Sequence, residues 1–71
     1  MQTTDMEILV NGGTQRLEPG ASVAGLITAL GLDVHRVAVE INRQLVRRVS
    51  FEDRKIEPGD QIEIVEFVGG G

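Results

Sequence analysis

Cysteine is absent from this chain of 71 residues. No disulfide, thiolate-bound metal or thiol nucleophile is therefore available, and the absence is neutral about compartment. Tryptophan and tyrosine are also missing, which leaves Phe51 and Phe67 as the only aromatics. The core must be aliphatic. Basic residues are outnumbered seven to eleven, for a net charge of −4, which argues against a nucleic-acid partner because phosphate binding needs a basic face. No apolar run approaches membrane length, and Met1 to Met6 lack the basic and apolar regions of a signal peptide. A cytoplasmic protein without a membrane partner is expected.

Catalytic chemistry is equally sparse. His35 is the sole histidine, and it lies between Val34 and Arg36 with neither an orienting partner nor neighbours of metal-ligand type. It reads as a solvated loop residue. Glu52 and Asp53 adjoin Arg54 and Lys55 and read as a charged turn. Gly12-Gly13 lacks the downstream Gly-Lys-Ser/Thr of a phosphate-binding loop. The chain is not expected to be an enzyme, nor to bind a cofactor or metal itself.

The length suits one domain, near the lower limit for a single unstapled core. Met6 to Asn11 reads as a strand with Met6, Ile8 and Val10 on one face. Gly12-Gly13 is expected to supply the positive φ angles of a hairpin turn into Thr14–Leu17. Ser22 stands as a helix N-cap before Val23, Leu26, Ile27 and Leu30, whose spacing makes one apolar stripe, and Gly31 suits the left-handed residue after the helix. Val37 to Ile41 alternates as a third strand, and Asn42-Arg43 is a turn candidate before a short strand, Gln44–Val46. The stretch from Arg47 to Lys55 is too polar and irregular to assign. Glu57-Pro58-Gly59-Asp60 is a turn, and Gln61 to Phe67 is the last strand. The order gives an α+β fold, a sheet of four to five strands with one helix packed on one face.

Two features of the last strand bear on function. Ile62 and Ile64 share one face, but Val65 and Phe67 fall on the other. Val65 and Phe67 either complete a second covered face, the expected use in so small a domain, or contact a partner. The four acids Glu57, Asp60, Glu63 and Glu66, with no base after Lys55, read on charge alone as a solvated strand face, with steering of this end toward a basic partner as the alternative.

The chain then closes on "EFVGGG", Glu66 to Gly71. Glycines lack a Cβ, so they pass through channels where side chains clash, and they reach backbone conformations closed to other residues. A terminal carboxylate is a poor electrophile until it is activated. Adenylated from ATP by a partner, it becomes open to attack by sulfur. In a chain without cysteine, sulfur could be carried only on the main-chain terminus.

The order of elements, with "ILVNGG", "LITALGL", "VAVEIN" and "IEPGDQIEIVEFVGGG", resembles the ubiquitin-like β-grasp sulfur carriers, and most closely those of thiamin biosynthesis. The resemblance implies a mixed-sheet β-grasp domain over residues 1–67 and a flexible glycine-rich tail over 68–71. It implies that Gly71 is the residue adenylated and converted to a thiocarboxylate, that Gly70 is its partner in the motif, and that Gly69 extends it. Val65 and Phe67 are contact candidates inferred from the strand pattern. The implied partners are an ubiquitin-activating-type adenylating enzyme, which uses ATP and Mg²⁺, thiazole synthase, and a sulfur donor such as a cysteine desulfurase, with the carrier alone a monomer. Alternative readings are the small subunit of molybdopterin synthase, another biosynthetic sulfur carrier, or an ubiquitin-like interaction or modifier module.

Overall fold

The computed structural model describes residues 4–68. Its elements are β1 (Met6–Val10), β2 (Gly13–Leu17), α1 (Val23–Ala29), β3 (Val37–Ile41), β4 (Gln44–Val46) and β5 (Gln61–Glu66). The five strands form one mixed sheet in the order β2-β1-β5-β3-β4. β5 runs parallel to β1 and antiparallel to β3, while β1–β2 and β3–β4 are antiparallel hairpins. This is the β-grasp arrangement, with the last strand inserted at the centre and one helix against one face.

Both hairpins turn through two residues of positive φ. The first uses Asn11 (52°) and Gly12 (85°), with Gly13 already paired to Val10. The expected Gly12-Gly13 turn therefore sits one residue earlier, because an Asn-Gly pair supplies the two left-handed positions of a two-residue turn. The second uses Asn42 (52°) and Arg43 (70°), as expected for that turn.

The helix begins at Ser22, whose Oγ accepts the Gly25 N–H. The two preceding N–H groups, orphans in any helix, donate to another segment: Val23 to the Arg54 carbonyl and Ala24 to that of Phe51. At the other end the Leu32 N–H bonds the Ile27 carbonyl and the Gly31 N–H bonds that of Thr28. With Gly31 at φ 76°, this double bond closes the helix as the sequence expects.

Val23, Leu26 and Ile27 of α1 pack with Ile8, Val37, Val39, Ile41, Ile62 and Ile64 of the sheet. Full burial of such side chains stabilises by about 1.5–3 kcal/mol each. The irregular stretch after β4 has a specific use. A 3₁₀ turn at Arg48–Ser50 leads to Phe51 and Ile56, which are both buried in this core, while the Ile56 N–H bonds the Ala21 carbonyl. Phe51 is thus the core aromatic and Phe67 is not.

The Glu57–Asp60 turn is fastened from within. Buried Asp60 accepts the Glu57 N–H on Oδ2 (2.9 Å) and the Asn42 amide on Oδ1 (3.1 Å). The Asn42 Oδ1 in turn accepts the Gln61 N–H. β5 therefore enters the sheet already tied to the β3–β4 turn.

Candidate functional site: the exit of the central strand

β5 pairs with β3 from Ile41↔Ile62 to Val37↔Glu66. One residue further, the Phe67 N–H donates to the Arg36 carbonyl at 2.7 Å. The chain thus leaves the sheet beside the 3₁₀ turn Val34–Arg36. Val68 follows with its side chain almost wholly in solvent, at 91% exposure. Gly69, Gly70 and Gly71 lie outside the described residues.

The expectation that Val65 and Phe67 complete a covered core face is corrected, since they are 58% and 53% exposed. The single helix covers the Ile62/Ile64 side of β5, and no second layer lies on the opposite face among the described residues. Side chains alternate along a strand and neighbours in register share a face. Val65 is opposite Ala38, and Glu63 is opposite Glu40, which is itself opposite Leu45. Leu45, at 68% exposure, therefore joins Val65 and Phe67 on the uncovered side of the sheet. Its position was legible in the short strand Gln44-Leu45-Val46, where Val46 takes the core phase and Leu45 the opposite one, but the pattern could not say that this face lacks a cover.

The apolar residues of this face are set among acids. Glu40 and Glu63 are exposed and directly opposite each other, an arrangement of like charges that destabilises a sheet. Glu7, also exposed, pairs with Arg16 on the flanking hairpin. Apolar side chains with a carboxylate pair among them complement a surface that is apolar and basic.

Elsewhere the titratable groups do not converge. His35 is exposed, its backbone N–H is held by Asp33 Oδ1 (2.8 Å), and its carbonyl accepts from Arg48. Glu52 and Asp53 are exposed in the turn after the Arg48–Ser50 helix. Among the described residues no three of His, Cys, Asp and Glu come together as a metal site, and no helix is long and apolar enough to cross a membrane. The arrangement leads the chain out of the sheet beside an apolar and acidic face.

The model of the ThiS family matches residues 8–71, from the first strand through the final glycine. The chain belongs to the ThiS family. A crystal structure of a thiamine biosynthesis protein (ThiS) from Geobacter metallireducens superimposes with a TM-score of 0.79 at 30% identity, covering 93% of this chain and all of that one. A protein called thiazole synthase from Magnetococcus marinus is 39% identical over 66 residues, and another from Paramagnetospirillum magneticum is 36% identical over 66. The match takes in 93% of this chain but only 20% of either synthase.

Proposed function

We propose that the chain is a sulfur carrier of thiamin biosynthesis, acting as a protein co-substrate and not as an enzyme. The observation that carries this reading is the exit of the central strand: β5 leads the chain out beside Val65 and Phe67, and the family match runs on from there through Gly71. The Gly71 carboxylate attacks the α-phosphorus of ATP in an adenylating partner, and pyrophosphate leaves. A sulfide-level sulfur nucleophile then attacks the carbonyl carbon and expels AMP, leaving a terminal thiocarboxylate. Gly69 and Gly70 make the approach to the partner's active site thin enough for a channel.

Val65, Phe67 and Leu45 form the apolar centre of the docking face, and Glu40 and Glu63 draw in a basic partner surface. Thiazole synthase is the acceptor supported by the relatives. Two proteins of that name contain a segment like this chain in about a fifth of their length, so the segment is covalently joined to the rest of each. ATP and Mg²⁺ belong to the adenylating partner, and a desulfurase-type enzyme supplies the sulfur as a persulfide, which a thiol reductant brings to the sulfide level.

The test is intact mass spectrometry after incubation with ATP, sulfide and the host's adenylating enzyme, followed by a thiol-alkylating reagent. An S-alkyl adduct mapped to Gly71 is expected, because the chain has no cysteine to alkylate. An unalkylated chain in the presence of demonstrably active enzyme would refute sulfur carriage.

A further inference from the structure

Asn11 lies 53 residues from Ile64 in sequence, yet its side chain treats Ile64 as a strand neighbour. β1 pairs with β5 only at Leu9↔Gln61 and Val10↔Ile62. On this flank the Leu9 N–H bonds the Asp60 carbonyl (3.0 Å) and the Asn11 N–H bonds that of Ile62 (2.8 Å). The next β5 residue with groups on this side is Ile64, but by then the hairpin has turned at Asn11-Gly12 and β1 has ended. The Asn11 side chain fills the gap. Its Oδ1 accepts the Ile64 N–H at 2.9 Å and its Nδ2 donates to the Ile64 carbonyl at 3.2 Å.

A primary amide presents its oxygen and one N–H on the same edge, which matches the N–H and carbonyl that a single strand residue turns toward one neighbour, so this pair prolongs the β1–β5 ladder by one step without a strand. The backbone of Asn11 at φ 52° is the left-handed conformation that asparagine tolerates better than most residues. Glycine would satisfy that turn position equally well, so the turn alone does not call for the amide.

We propose that Asn11 is a positioning residue for the reactive tail, an inference that rests on the sulfur-carrier reading. β3 holds β5 on its other flank as far as Glu66, and Arg36 holds Phe67. On the β1 flank Asn11 is, among the described residues, the last side chain hydrogen-bonded to β5 before the exit. Held on both sides, Ile64 to Phe67 present the root of the tail in one direction. Held on one side, the root can twist, and that displacement widens the region the glycine tail searches and lowers the fraction of docked chains whose carboxylate is in place to react. Reaction in a partner's active site is sensitive to such displacement, with about 1 Å able to cost up to about 100-fold in rate.

The experiment compares the full chain with Asn11→Gly, which keeps the turn and removes both bonds, and Asn11→Asp, which keeps an acceptor for the Ile64 N–H. Hydrogen exchange at the Ile64 amide, thermal melting, and kcat and KM for adenylation are measured where every chain is folded. In Asn11→Gly the Ile64 amide should exchange faster relative to that of Val39. Its kcat should fall about tenfold, with KM within about twofold because the docking face is intact, and Asn11→Asp should recover part of the loss.

An Asn11→Gly chain with wild-type kcat, or with unchanged Ile64 protection, would overturn the proposal while leaving sulfur carriage intact. A loss confined to KM would equally overturn it, since that places the effect in docking. A wild-type chain that active enzyme never adenylates would overturn the carrier reading and this proposal with it.

Discussion

The backbone N–H of Phe67 donates to the carbonyl of Arg36 across 2.7 Å, one residue after β5 has ended. This bond fixes where the chain leaves the sheet, while the Phe67 ring stays 53% exposed. An aromatic held by its backbone and exposed at its ring is suited to contact, because little backbone entropy remains to be lost when a partner covers it.

Phe67→Ala should separate contact from core. Surface substitutions change stability by about 0.5 kcal/mol or less, whereas truncating an aromatic anchor at an interface costs about 2 kcal/mol. Calorimetric titration against the adenylating enzyme should show Kd rising roughly 30-fold, with Tm almost unchanged. A large fall in Tm with unaltered Kd would return Phe67 to the core.

Removing Gly70 and Gly71 should leave the circular dichroism spectrum and Tm at their wild-type values and abolish ATP–pyrophosphate exchange by the partner. Gly70→Leu should have nearly the same effect, since the branched side chain obstructs a channel that the glycine tail can enter. Normal exchange with either variant would contradict threading of the tail.

Glu40→Lys should move stability and binding in opposite directions. Replacing the carboxylate opposite Glu63 exchanges a repulsive cross-strand pair for an attractive one, a gain of about 0.2–1 kcal/mol, visible in the urea midpoint. The same change removes an acid from the face that meets the basic partner. Association measured by stopped flow at low salt should slow, and the difference from wild type should shrink as salt is added.

Asp60→Ala should destabilise the domain without touching the docking face. It removes the acceptor for the Glu57 N–H and the Asn42 amide, at a cost of about 2 kcal/mol. In a domain of this size that lowers Tm by roughly 10 °C. Binding measured where the variant is still folded should match wild type.

Much of this architecture can be read along the chain because its causes are local. The stripe Val23, Leu26, Ile27 and Leu30 makes an amphipathic helix, Ser22 and Gly31 close its two ends, and the alternation Val37, Val39, Ile41 sets one strand face. The segment from Arg47 to Lys55 gives no such signal. It has no period because its task is to bring Phe51 and Ile56 under the helix and to bond the free N–H groups of Val23 and Ala24, contacts whose partners are far away in sequence.

By itself, the sequence determined the elements, the phase of each strand and a tail of residues without side chains, since these follow from φ preferences, side-chain period and capping groups within a few residues. The tertiary structure decided that β5 lies at the centre of the sheet, that Val65 and Phe67 are left uncovered among the described residues, and that Asn11 meets Ile64 across 53 residues. Strand order and cover arise from burying the aliphatic face of every strand under one short helix. That demand acts on the whole chain at once, and no local window contains it.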